Sequence, residues 1–225
     1  KDNEGIGGVY TLEAISTNET IVSIPSSICI TEHIARQALP AFSSLSSRLV
    51  LCLFLLIEKQ KGQNSFYWPY INILPKTIKT SLCFDENDLK YIQNTNLEFT
   101  TRERKAYLHK EFEKILENLP SDIDKDQISW EEFLWCYNVI SSRSFPSRLI
   151  DSSSEKEEAL FPLLDAFNHK PNTKITWSSD EDGKFISFIA GQNIGSQDQV
   201  FNNYGPKASI CVFYFISLYI VKLTR

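Results

Sequence analysis

Three short constellations in this sequence set polar groups in tight or apolar surroundings: Glu4–Gly5–Ile6–Gly7, Asp165–Ala166–Phe167–Asn168–His169 and Asn202–Asn203–Tyr204–Gly205. Glycine lets a backbone approach a ligand closely. A carboxylate such as Glu4 can pair with a ligand's cation or hydroxyls, and the Asn168 amide offers both donors and an acceptor. Tyr204, with Phe201 and Tyr70 as further aromatics, can wall a narrow apolar channel. Taken singly, each has a plain structural explanation: the glycines make a turn, Asn168 and His169 satisfy buried backbone, and Tyr204–Gly205 closes a hairpin. Any chemistry depends on the three coming together.

Other chemistries find no matching pattern. Gly5–Ile6–Gly7–Gly8 lacks the Gly-x-Gly-x-x-Gly spacing of a phosphate cradle and leads into a strand-like run rather than a helix. A Gly-x-Ser-x-Gly nucleophile elbow is absent. With only His33, His109 and His169 and no His-Glu-x-x-His, a metal would need scattered carboxylates, and none is expected. Cys29, Cys52, Cys83, Cys136 and Cys211 are odd in number and widely spaced, which disfavours zinc fingers and disulfide frameworks. A chain of 225 residues with 42% apolar and 23% charged residues can bury a real core, so disordered and coiled-coil classes are out. The net charge of −5 argues against nucleic acid binding through a positive field and tolerates a basic protein partner. The longest apolar stretches, Leu49 to Ile57 and Ile210 to Leu223, fall short of the ~18 residues of a membrane span. The first twenty residues carry no secretory leader.

These residues need elements to hold them. The β-branched run Thr20–Ile21–Val22–Ser23–Ile24, after the glycines, predicts short strands about a tight turn, stopped by Pro25. Ser46 and Ser47 can cap a helix whose body, Leu49 to Glu58, is apolar on every face and which Gly62 ends. Ser65 to Pro75, aromatic and twice interrupted by proline, predicts irregular packing against that helix. From Lys76 to Ile140, nine basic and thirteen acidic residues in helical patterns mark an insert with a solvated surface. Within it Thr100 and Glu103 read as a capping box for a helix closed by Pro120. Ser129 and Glu132 start a second helix that delivers the chain to Ser142–Arg143–Ser144–Phe145. Ser152 to Glu158 reads as a surface loop. Lys174 to Trp177 and Lys184 to Ile189 flank Asp182–Gly183, a hairpin signal. Ile210 to Val221, apolar nearly all round, reads as a core helix or strand, or a surface that further chain covers. Strands, helices, then strands predict an α+β fold whose two strand-rich halves close over the ends of one insert.

In this order, with Ser142–Arg143 between the first and second, the constellations resemble the SET-domain protein methyltransferases. They resemble in particular the subgroup with a helical insert, typified by the plant Rubisco large-subunit lysine methyltransferase and its fungal relatives that act on ribosomal proteins and elongation factors. The likeness runs from Glu4 to about Lys207. Asp165–Ala166–Phe167–Asn168–His169 and Asn203–Tyr204–Gly205–Pro206 are its most specific parts, supported by Trp68–Pro69–Tyr70–Ile71–Asn72–Ile73–Leu74–Pro75 and Ser142–Arg143–Ser144–Phe145. The resemblance implies a SET-domain β-clip of short strands with a helical insert. Residues 1–75 and 141–207 would form the two parts of the SET domain, 76–140 the insert and 208–225 an apolar tail.

The resemblance also implies a protein-lysine N-methyltransferase that uses S-adenosyl-L-methionine. Its partner would be a cytoplasmic protein presenting a lysine, with the nucleus as the other compartment, and no nucleic acid or membrane. By the same likeness Glu4, Gly5 and Ile6 hold the cofactor, as do Asn168 and His169 through main-chain and amide groups. Tyr204 lines the methyl-transfer channel, while Arg143 and Asp165 face the substrate side. The substrate amine must first lose a proton, and a reference pKa of ~10.4 makes that cost about 4.6 kcal/mol at pH 7. An aromatic channel beside a sulfonium lowers the cost, because desolvation and like charge both disfavour the ammonium. Beyond Lys207 the sequence departs from the family's pattern: a second channel tyrosine is replaced in register by Ser217, with Tyr214 and Tyr219 near it. The family's helical C-terminal substrate-binding domain has no counterpart before Arg225. Two alternatives therefore stay open: a truncated SET domain that binds cofactor or a protein partner without turnover, and a histidine N-methyltransferase.

Overall fold

Along Phe185–Ala190 the side chains of Ile186, Phe188 and Ala190 are buried while those between them are more exposed, the period of a strand with one covered face. The computed structural model describes residues 7–121, 123–150, 157–180 and 182–204, which fall into two compact units. One comprises the described residues up to Glu32 and those from Ser144 onward; the other is His33–Arg143.

The first unit carries the described strands: β1 (Val9–Tyr10), β2 (Thr20–Pro25), β3 (Ile30–Thr31), β4 (Ser144–Pro146), β5 (Glu158–Leu160), β6 (Asn168–His169), β7 (Ile175–Ser179), β8 (Phe185–Ala190) and β9 (Gln199–Asn202). They form three small sheets, ordered β1-β9-β6, β2-β8-β7 and β3-β5-β4. The expected hairpin is present: β7 and β8 are antiparallel, Gly183 turns with φ 66°, and its N–H donates to the Asp180 carbonyl at 3.0 Å. Asp180 Oδ1 also accepts the Phe185 N–H at 2.9 Å, pinning the register.

What holds the sheets together is a run of aromatic rings. Phe161 stacks on Phe145 of β4 at 5.0 Å, Phe145 meets Trp177 of β7 edge-on at 5.3 Å, and Trp177 lies 4.7 Å from Phe188 of β8. Phe188 in turn lies 4.7 Å from Phe167, the residue before β6. Phe161 and Phe188 are fully buried and Phe167 nearly so. Burying side chains of this size contributes about 1.5–3 kcal/mol each. The run begins in the β3-β5-β4 sheet and ends at the residue that enters β6, so core packing sets where β6 lies.

The second unit is helical: α1 (Glu32–Ala38, entered from the last residue of the first unit's opening stretch), α2 (Ser47–Lys61), α3 (Trp68–Ile71), α4 (Glu86–Lys90), α5 (Asn96–Glu117) and α6 (Trp130–Arg143). Leu49 to Leu56 of α2 are all buried, as its all-round apolar sequence demands, and Gly62 ends it with φ 53°. Ser46 stands at its N-cap without a side-chain capping bond, contrary to expectation. The capping box expected at Thr100 and Glu103 lies inside α5. Thr95 caps instead, accepting the Glu98 N–H at 3.3 Å, and Glu98 accepts the Asn94 N–H at 2.8 Å. Both pairs share the Thr-x-x-Glu spacing, but Asn94 turns the chain with φ 62° just before the first pair, whereas Thr100 Oγ1 donates back to the Asn96 carbonyl at 2.8 Å.

At α6 the expected cap is present, Ser129 Oγ accepting the Glu132 N–H at 3.1 Å. The Glu132 carboxylate pairs with Lys59 of α2 at 2.7 Å. Trp135 Nε1 donates to the Pro75 carbonyl at 2.9 Å. The Ser65–Pro75 stretch includes one helical turn, α3, because Pro69 sits where its missing N–H has no partner to lose. No helix among the described residues is long and apolar enough to cross a membrane. Most of the 152–158 loop, the Ile210–Val221 stretch and Tyr214, Ser217 and Tyr219 lie outside the described residues.

Candidate functional site

Strand β9 is the hub of the candidate site. On one side it pairs antiparallel with β1, Val9 opposite Val200; on the other it pairs parallel with β6, Asn168 opposite Phe201 and His169 opposite Asn202. A parallel pair cannot be closed by a tight turn and needs a long connection, so these neighbours come from distant parts of the chain. The Asn168 amide Nδ2 donates to the Gly7 carbonyl at 2.8 Å, across 161 positions of sequence. Glu4, Gly5 and Ile6 lie outside the described residues, which begin at Gly7.

Gly7 and Gly8 differ in what surrounds them. A Cβ on Gly8 would press on the far end of the Gln199 side chain and come within 3.2 Å of the Asn168 amide, so glycine leaves both amides undisturbed at the hub. A Cβ on Gly7 would meet no atom of the described chain within 4 Å, its chain neighbours aside. The Gly7 backbone therefore borders space that no described atom fills, beside an asparagine amide already oriented by a hydrogen bond.

Tyr204 follows β9 and is anchored through its hydroxyl, its backbone and its ring. Its hydroxyl donates to the Phe167 carbonyl at 2.8 Å, its N–H donates to His169 Nδ1 at 3.1 Å, and its ring stacks on the His169 imidazole at 5.1 Å with an 18° interplanar angle. A backbone N–H can only donate, so His169 Nδ1 is the acceptor of this pair. The preceding asparagines shape the approach. Asn202, 2% exposed, accepts the Asn203 N–H on Oδ1 at 2.6 Å, and Asn203 Nδ2 donates to the Thr173 carbonyl at 3.3 Å. Lys170 lies over the Phe201 ring at 5.2 Å from its centroid.

Of the residues singled out from sequence, Asn168, His169 and Tyr204 are thus brought together, with Gly7 beside them. Asp165 lies in the short helical turn Leu164–Ala166 that leads to Phe167, its N–H donating to the Phe161 carbonyl at 3.2 Å. Arg143 is the last residue of α6 in the helical unit, and Ser142 beside it donates to the Asn138 carbonyl at 2.7 Å. Sequence reasoning missed the Phe167 carbonyl as the partner of the Tyr204 hydroxyl, and the Gln199 side chain as the neighbour of Gly8. The Gly7–Gly8 and Asn202–Asn203 doublets were the signals available. Burial pushes the thiol of Cys29, in the same core cluster as Phe167 and Val200, up to about 12, which disfavours its thiolate. Among the described residues no group of three or more histidine, cysteine, aspartate or glutamate side chains could hold a metal.

A profile of the SET domain matches residues 7–205. The chain belongs to the SET-domain family. It is 35% identical over 217 residues to the ribosomal lysine N-methyltransferase Set10 of Schizosaccharomyces pombe, covering 93% of this chain and 39% of that protein. It is 29% identical over 208 residues to the chloroplastic fructose-bisphosphate aldolase-lysine N-methyltransferase of Arabidopsis thaliana, covering 90% of this chain and 40% of that one. The fold matches the crystal structure of the SET domain of LSMT bound to lysine and AdoHcy with a TM-score of 0.80, at 21% identity and over 93% of this chain and 49% of that one. The SET-domain chain therefore spans half or less of the length of these relatives.

Proposed function

We propose that this SET domain is the catalytic part of an S-adenosyl-L-methionine-dependent protein-lysine N-methyltransferase, acting on a cytosolic protein of the translation machinery. The observation that carries the reading is the meeting of Gly7, Asn168, His169 and Tyr204 around β9, from three separate stretches of chain. The residues fit the cofactor: Gly7 offers backbone beside space that no described atom fills, and Asn168 offers an amide next to it. Gly7 and Asn168, the His169 main chain and the preceding Glu4, Gly5 and Ile6 would hold it. When bound, S-adenosyl-L-methionine supplies a sulfonium-borne methyl group.

The chain's own part is to receive and orient the substrate amine. With its proton committed to the Phe167 carbonyl, the Tyr204 oxygen presents lone pairs, so it can accept an N–H from a neutral amine and aim that nitrogen's own lone pair. His169 keeps the tyrosine from swinging, through the backbone bond and the stacked ring. The apolar run ending at Phe167 lowers the local dielectric and so favours the deprotonated amine. Asp165 and Arg143 would contact the substrate protein. In domain terms, residues 1–75 and 141–207 supply the SET domain and 76–140 the insert. The name of Set10 supports a ribosomal substrate, and the cytosolic compartment follows from that substrate.

The test is transfer of tritiated methyl from S-adenosyl-L-methionine to ribosomes purified from fission yeast lacking Set10, with the modified residue located by mass spectrometry. Label on lysine is expected. Label on histidine would replace the lysine reading, and cofactor binding without label would leave only a binding domain.

A further inference from the structure

The turn leading into Asp165 carries a leucine where its backbone suits glycine or asparagine. Leu164 N–H donates to the Phe161 carbonyl at 3.1 Å, closing a four-residue turn with Pro162 second and Leu163 third. Proline favours the second place of such a turn. Leu163, however, has φ 70° and ψ −39°, a region that bulky side chains rarely enter. Among the described residues the other non-glycine positions with positive φ are Asn18, Asn94, Asn172 and Gln197, all amides.

Burial does not offset this strain. Leu163 is 53% exposed, whereas Phe161 and Leu164 on either side of Pro162–Leu163 are fully buried. The turn is also rigid: Asp165 N–H bonds the Phe161 carbonyl at 3.2 Å, and Ala166 N–H bonds the Leu163 carbonyl at 3.1 Å. Two residues further on is Asp165, and four further on is Phe167, whose carbonyl takes the Tyr204 hydroxyl. Leu163 is thus an exposed apolar residue held in a strained backbone on the segment that leads to the site, where strain and a fixed mount suit a preorganised contact.

Building on the methyltransferase reading, we propose that Leu163 is a specificity-determining contact that packs against an apolar side chain of the protein substrate next to its target lysine. Asparagine or glycine at this position relieves the backbone and removes the contact; Leu163→Met keeps the contact.

The experiment measures methyl-transfer kinetics on ribosomes from fission yeast lacking Set10, with thermal unfolding and cofactor calorimetry alongside. Leu163→Asn and Leu163→Gly are expected to raise KM for the ribosome about tenfold with kcat near the parent value, the effect of exposing roughly half a leucine side chain. Cofactor affinity should hold, Tm should stay level or rise, and Leu163→Met should recover most of the loss. An unchanged KM, or a Tm lowered by several degrees because the leucine serves the fold, overturns the proposal. If the parent chain labels ribosomes and the variants match it, only the Leu163 assignment falls; if the parent leaves ribosomes unlabelled, the methyltransferase reading falls with it.

Discussion

Replacing Tyr204 by phenylalanine removes one oxygen and leaves everything else that holds the residue. The ring can still stack on His169, and the backbone N–H still reaches Nδ1. What disappears with the oxygen includes the neutral hydrogen bond of 2.8 Å to the Phe167 carbonyl. Such a bond contributes about 0.5–1.5 kcal/mol of net stability, and 1 kcal/mol shifts Tm by about 2–4 °C in a domain of this size. The same oxygen, if it orients the substrate amine, is a fixed dipole at the reacting atom, and removing groups of that kind lowers turnover about 10²–10³-fold. Tyr204→Phe should therefore lose only a few degrees in a thermal melt and keep cofactor affinity within a factor of about three, while methyl transfer falls by at least about a hundredfold. Turnover near the parent value would remove Tyr204 from the chemistry. A parallel loss of cofactor binding would show that the hydroxyl shapes the site rather than the reaction.

Two further outcomes concern the frame around the site. Phe188→Ala, which breaks the ring run between Trp177 and Phe167, should cost about 3–5 kcal/mol in urea unfolding; a loss below about 1 kcal/mol would mean the run is not what holds β6. Burial raises the Cys29 thiol from 9.0 to about 12, so the unfolded chain loses this proton first. The stability it contributes is whole below about pH 9 and declines as pH rises toward 12. Cys29→Ala should flatten the alkaline limb of urea-unfolding midpoints, and an unaltered slope would count against burial as the cause.

Local rules carried the fold a long way. Asp182–Gly183 marked the hairpin, the all-round apolar Leu49–Leu56 stretch marked a buried helix, and Ser129 marked the start of α6. They failed where two sites compete for one role: Thr95 and Thr100 offer the same spacing, and only the left-handed Asn94 decides between them. At the candidate site, residue types were legible but contacts were not. That Tyr204 would give its hydroxyl to a backbone carbonyl 37 positions earlier depends on the parallel pairing of β6 and β9, which no local propensity encodes. Gly8 is similar, since the side chain beside it, Gln199, comes from the partner strand β9.

The most direct measurement is calorimetric titration of S-adenosyl-L-methionine into the parent chain and Gly7→Ala. An added methyl group at position 7 meets no atom of the described chain within 4 Å, its neighbours in sequence aside, so the fold has no reason to lose stability. The parent is expected to bind, and the variant to bind at least about tenfold more weakly with an equal or higher Tm, because the methyl group occupies space the cofactor needs. No binding heat in the parent, or equal affinity in the two, would contradict a cofactor seated against the Gly7 backbone beside Asn168 and His169.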